Sequence, residues 1–206
     1  MLKAGLTGGL ASGKSFIGRA FEELGAKVIR ADELGHRAIA SDGPAYGAVL
    51  EEFGSDILRV DLAIDRKKLA RLVFPFPDRL LKLNELIHPH VFRMQDELTA
   101  RYVAEDPRAI IVVEAAIMVE TGSHARYEKL IVAVCPYEMQ IARAMSRDGI
   151  SREEAEARLA RQLPLEEKVR FADFVIDTAG SKEETWRQTR EVYESLGALE
   201  SAKHTL

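Results

Sequence analysis

The sequence predicts an α/β fold in three layers, with a five-stranded parallel sheet between helices. Three observations carry that reading. Five short runs are continuously apolar rather than alternating, as expected of strands covered on both faces. Helical segments separate the runs, which implies right-handed crossovers between parallel strands. A glycine-rich loop, Gly8-Gly9-Leu10-Ala11-Ser12-Gly13-Lys14-Ser15, stands between the first run and the first helical segment.

The first strand is expected over residues 2–6. The loop after it fits the phosphate-loop pattern G-x-x-x-x-G-K-[ST] in full. Phe16, Ile17, Ala20, Phe21 and Leu24 then recur at helical spacing. Strand, glycine loop and helix start together make an anion site, because backbone N–H groups converge there and the helix dipole favours negative charge. This is the core of a P-loop NTPase fold that binds a nucleoside triphosphate through Gly8, Gly9, Ala11, Ser12, Gly13, Lys14, Ser15 and Phe16. Lys14 is expected to reach the β- and γ-phosphates, and the Ser15 hydroxyl to ligate Mg²⁺. Ala11 stands at a loop position that tolerates alanine only where φ is negative.

The second strand is expected over residues 27–29. Asp32 follows it, at the strand edge where open parallel sheets gather ligands. A carboxylate there can take a proton from an attacking hydroxyl or hold a metal-bound water; equally, Asp32 can cap the helix that begins beside it. Roughly residues 31–108 carry helical periodicity and no convincing strand, and read as a helical insertion for the second substrate. Within it, Pro89 and the lack of a third ligand argue against His88-Pro89-His90 as a metal pair and favour a loop histidine that contacts substrate.

The third strand, residues 110–113, ends at Glu114, a position suited to a metal-site carboxylate; Glu120 lies six residues on. The fourth, residues 130–134, leads to Cys135, which reads as a buried small hydrophobe. Residues 148–168 form a charged helix–turn–helix in which Ser151 and Glu154 have the spacing of a capping box. Arg143 and Arg147, one helical turn apart, suit a migrating phosphoryl group, whereas Arg152 and Arg161 read as a solvated face. The fifth strand is expected over residues 174–176. A helix follows Glu183 and frays over residues 201–206. His36, His124 and His204 read as surface residues.

Composition narrows the function. The 206 residues suit one domain carrying an inserted subdomain, and 47% hydrophobic content supports a sizeable core. With 29 basic against 33 acidic residues, the net charge of −4 gives no general attraction to nucleic acid or to an anionic membrane. A single cysteine suits a reducing cytoplasm, no run is long enough to span a membrane, and no signal peptide is visible.

Read in order, these segments resemble the dephospho-CoA kinase family along nearly the whole chain. Leu6-Thr7-Gly8-Gly9-Leu10-Ala11-Ser12-Gly13-Lys14-Ser15 is close to the family's LTGGIGSGKS, and Val28-Ile29-Arg30-Ala31-Asp32 to its VIDAD. Asp61-Leu62-Ala63-Ile64-Asp65-Arg66 with Leu69, Val73 and Phe74 is similar to DGxLDRxxLxxxVF, and Leu86-Ile87-His88-Pro89 to IIHP. Gln140, Arg143, Arg147 and Asp148 follow QxxRxxxRD; Arg158 and Gln162 follow RxxxQ; residues 172–177 follow ADxVIDN. The resemblance implies transfer of the ATP γ-phosphate to the ribose 3′-hydroxyl of dephospho-CoA. It makes Asp32 the catalytic carboxylate, with Lys14, Arg143 and Arg147 acting on the phosphates. It also places Arg66, His88, Asp32 and Glu114 on the acceptor side, with residues 140–168 as a lid. ATP and Mg²⁺ are implied, with Ser15 on the metal and Asp32 acting through a water, in a monomer or small homo-oligomer. Arg30 replaces the family's first aspartate, Ala11 a glycine, Ala116-Ile117-Met118 a Pro-Leu-Leu, and Thr178 an asparagine; the last two are expected to tune acceptor fit. The alternative is another small P-loop kinase for a nucleoside monophosphate or metabolite. A GTP switch is excluded by the lack of a guanine motif at Val134-Cys135-Pro136-Tyr137, and a non-catalytic nucleotide-binding scaffold has no need of Asp32.

Overall fold

The computed structural model describes residues 1–203. Its elements run β1 (Leu2–Gly8), α1 (Lys14–Glu23), β2 (Lys27–Arg30), α2 (Ala31–Ala38), α3 (Tyr46–Phe53), α4 (Arg66–Val73), α5 (Pro77–Glu105) and β3 (Ile110–Glu114). After these come β4 (Lys129–Val134), α6 (Tyr137–Asp148), α7 (Arg152–Leu159), α8 (Leu165–Val169), β5 (Phe174–Asp177) and α9 (Lys182–Ala202). His204 and the last part of the expected frayed tail lie outside the described residues; Ser201 is still helical.

The chain divides into two compact units, Met1–Arg30 with Arg101–Leu206, and Ala31–Ala100. The first contains the sheet, in the order β2-β3-β1-β4-β5. Every pairing is parallel, and each strand extends one or two residues beyond its apolar run. Hydrogen bonding continues past the apolar run, at the start of β4 (Lys129) and at the end of the other four strands, because backbone pairing does not depend on side-chain character. Leu2, Ala4 and Leu6 point to one face, where α1 and α9 cover them with Ile17, Phe21 and Leu196. Met118 and Tyr127 press on Gly5 from the other face, completing three layers. The register aligns the carboxyl ends along one edge: Gly8 pairs with Ala133, Arg30 with Glu114, and Val134 with Asp177. The chain places β2 and β3 on one side of β1 and β4 and β5 on the other, so the loops at that edge lie at the switch in strand order, the place where such sheets bind ligands.

The second unit is helical around its own core of Val49, Ile57, Leu69, Val73 and Leu83. One isolated bridge, Leu58 to Ile64, adds a short extended contact. Asp65 caps α4 by accepting from Lys67 N and Lys68 N. The unit ends at Ala100 rather than near residue 108, while α5 runs on to Glu105. Pro89 lies inside α5, so His88 is a helical residue and not a loop residue. The helix continues through proline because Leu83, Val91 and Gln95 bury one of its faces, offsetting the lost hydrogen bond.

Candidate active site

The phosphate loop is held in one shape by glycine geometry and close neighbours. Gly13, at φ 91°, precedes α1, and a Cβ there would stand 2.8 Å from Thr178 Cγ2. At Gly9 a Cβ would collide with Gln140 Oε1. Ala11 has φ 53°, so the expectation of a negative angle is overturned. Its methyl packs with Leu10 against Ile141, Ala144 and Ala155 on α6 and α7, contacts that offset a left-handed alanine's cost of roughly 1–2 kcal/mol.

The start of α1 has no acidic residue in its first turn and no side-chain cap, which leaves it open to an anion. Lys14 Nζ donates to the carbonyls of Gly8 at 3.2 Å and Gly9 at 2.7 Å. Ser15 Oγ donates to Glu114 Oε1 at 3.0 Å. Glu114 is buried, and the Arg30 guanidinium lies 3.9 Å from its other oxygen. Arg30 also makes a two-pronged contact with Glu22 at 2.9 and 2.7 Å, so a cation occupies the place of the family's first aspartate. The structure therefore sets Glu114 against the loop's Ser15.

Arg143 and Arg147 have different partners. Arg143 donates to Thr178 Oγ1 at 2.9 Å and to Thr178 O at 2.6 Å. Thr178 Oγ1 lies 3.0 Å from Ser12 O, which ties that arginine to the loop. Gly13, Phe16, Arg143, Thr178, Ser181 and Thr185 line a recess of about 200 Å³. Thr178, expected to tune acceptor fit, is thus part of the wall beside the loop. Arg147 instead grips Asp148 at 2.7 and 3.0 Å, and Arg158 reaches the same carboxylate at 3.1 Å. The hydrogen bond from Arg147 is the main reason Asp148 lies below the ordinary carboxylate range.

Arg152 sits among Glu138 and Glu156 on the surface, as expected. The capping box of Ser151 and Glu154 is present. Cys135 is buried, and desolvation raises its thiol above the ordinary value although Arg143 is close. His124 is half-buried rather than superficial, because its ring packs edge-on against Phe171 at 4.8 Å.

In the helical unit, Asp32 is an exposed residue in the first turn of α2, one position inside the helix. It is therefore not the helix cap. His36 lies one turn further on. Partial desolvation and then the Arg66 guanidinium lower its imidazole, against the pull of Asp32 and Glu33. His36, Arg66 and Lys67 stand with Ile39, Leu69, Val73 and Phe74 around a mainly apolar groove of about 440 Å³. His88 is half-buried against Phe92, and burial lowers its imidazole.

The family model for dephospho-CoA kinase matches residues 2–184. The chain belongs to the dephospho-CoA kinase family. It is 43% identical to the dephospho-CoA kinase of Aquifex aeolicus over 196 residues, 95% of this chain and 98% of that one. Among solved structures it is similar to TT1252 from Thermus thermophilus, with TM-score 0.81, 32% identity and coverage of 95% and 97%. The dephospho-CoA kinase from Campylobacter jejuni matches with TM-score 0.67 and 27% identity, over 95% of this chain and 97% of its own. A shikimate kinase from Acinetobacter baumannii, at TM-score 0.53 and 16% identity, shares the fold. As a dephospho-CoA kinase family member, the chain is an ATP-dependent phosphotransferase acting on a hydroxyl.

Sequence reasoning missed two side chains near the loop. Lys168 closes the charged stretch 148–168 and was given no role of its own, yet it is fully buried; its spacing of three from Leu165 was the available signal. Gln162, noted only as part of a motif, accepts from Leu10 N at 2.8 Å.

Proposed function

We propose that this chain phosphorylates the ribose 3′-hydroxyl of dephospho-CoA at the expense of ATP, giving coenzyme A and ADP. The observation that carries the reading is the loop itself: Lys14 and Ser15 open a bare helix start, and Glu114 backs Ser15. The triphosphate lies along the loop N–H groups, with Lys14 turning from the Gly8 and Gly9 carbonyls to the β- and γ-phosphates. The base takes the recess beside Arg143, Thr178 and Ser181. The paired oxygens of Ser15 and Glu114 suit Mg²⁺, a hard cation bound through few protein ligands and the phosphates. When bound, Mg²⁺ neutralises developing charge on the β- and γ-oxygens.

Asp32 accepts the proton of the 3′-hydroxyl as its oxygen bonds to the γ-phosphorus and the bond from that phosphorus to the β–γ bridging oxygen breaks, releasing ADP. The apolar groove rimmed by His36, Arg66 and Lys67 suits an acceptor with both an uncharged arm and phosphates. Binding energy from that arm orients the hydroxyl. Arg147 joins Arg143 over the phosphates once drawn from Asp148, and residues 140–168 act as the lid. The single, buried cysteine supports a cytoplasmic setting.

The test is ADP release with dephospho-CoA against adenosine, AMP and other nucleotides. Dephospho-CoA is expected to give much the highest kcat/KM. Equal turnover with AMP would return the chain to the general nucleotide kinases.

A further inference from the structure

Behind the phosphate loop lies an ion pair between a fully buried lysine and a half-buried glutamate for which the steps above have no use. Lys168, on α8, is 0% exposed, and its ammonium lies 2.7 Å from Glu120 Oε1. It donates to Ala116 O at 2.8 Å and makes a longer contact with Gly8 O at 3.4 Å. The Gly8 carbonyl therefore faces two ammonium groups, Lys14 from within the loop and Lys168 from beneath it. Glu120 Oε1 also accepts from Leu163 N at 3.0 Å, just before α8, and Gln162 Oε1 takes the N–H of Leu10. The segment 162–168 thus holds the loop at two backbone points, one carbonyl and one N–H.

A wholly buried lysine is an expensive way to stabilise a fold. Desolvation of such a pair often equals or exceeds its attraction, and apolar residues of similar volume commonly serve as well. What apolar residues cannot do is grip a carbonyl in a given direction. We propose that Lys168 is a positioning residue for phosphoryl transfer. Neutralised by Glu120, it fixes the Gly8 and Ala116 carbonyls so that the loop N–H groups keep their aim at the triphosphate. Together with Gln162, it makes that aim depend on where segment 162–168 sits.

The inference rests on the kinase reading and not on the identity of the acceptor. Lys168→Met is expected to lower kcat about 10²-fold, the scale for misplacing reacting groups by near 1 Å. ADP affinity, measured by calorimetry without any acceptor, should weaken as well, while KM for dephospho-CoA stays unchanged. The deciding comparison is the double variant Lys168→Met/Glu120→Leu. It removes both charges and refills the volume, so its melting temperature should return to the wild-type value while kcat stays low. Recovery of kcat together with melting temperature would reduce the pair to a structural role and overturn the proposal. So would a folded single variant with wild-type kcat and ADP affinity. If the single variant does not fold, the double variant decides alone. A wrong acceptor would show in the wild-type enzyme, whereas a wrong role for Lys168 shows only in the variants.

Discussion

The two units present their ligand-facing chemistry in different ways. In the sheet unit it is carried mainly by backbone: the N–H groups of a loop whose shape is over-determined by Gln140, Thr178, Gln162 and Lys168. In the helical unit it is carried by side chains, with His36, Arg66 and Lys67 standing around an apolar groove on short helices. A backbone site suits phosphates, which look alike in every nucleotide; a side-chain site suits the choice of one acceptor. Substitutions in the sheet unit should therefore be felt as rate, and most of those in the helical unit as selectivity.

The sharpest way to break that division is Asp32→Asn. If Asp32 takes the hydroxyl proton, kcat should fall roughly 10²–10⁴-fold, the range for loss of a positioned general base. ADP affinity should not move. Loss of a first-turn charge costs the helix no more than about 1 kcal/mol, so melting temperature separates this result from unfolding. A variant with near-wild-type kcat would leave the proton without a carboxylate acceptor in the helical unit.

A smaller effect is expected from Arg66→Ala. Losing a charge-assisted contact of about 1.5–3 kcal/mol should raise KM for dephospho-CoA about tenfold or more, with kcat and KM for ATP held. Equal rises in both KM values would show that the helical unit does not act on the acceptor alone.

Much of the sheet unit was legible because its signals are local. Buried parallel strands are continuous apolar runs, the loop motif is contiguous, and the box at Ser151 and Glu154 spans one turn. What escaped depends on distant partners. Ala11 adopts φ 53° because α6 and α7 hold its methyl, and nothing within the loop's own residues announces that. Lys168 looks like a surface cation until Glu120 and two carbonyls are folded around it. Pro89 suggested a loop, but the burial of Leu83 and Val91 on one helix face prevails over a missing N–H. Asp32 failed as a cap because α2 starts at Ala31, two residues before the Glu33 start that a cap at Asp32 requires.

The smallest expected effect probes the loop directly. Ala11→Gly removes the left-handed strain but adds unfolded-state entropy and loses a methyl contact, so the net gain in stability should be under about 1 kcal/mol. Chemical denaturation would measure it. A loss instead would mean that the methyl's grip on Ile141, Ala144 and Ala155 outweighs the strain it imposes.

Cys135 has a practical consequence. Its thiol is buried just after β4, desolvation raises it above the ordinary thiol value, and Arg143 and Thr178 lie beside it. An alkylating reagent needs the thiolate and access to it, so modification is expected to require local opening around Arg143 and Thr178. The molecule thus carries a chemical clock: the rate at which this sulfur is labelled counts the openings of the wall beside the phosphate loop.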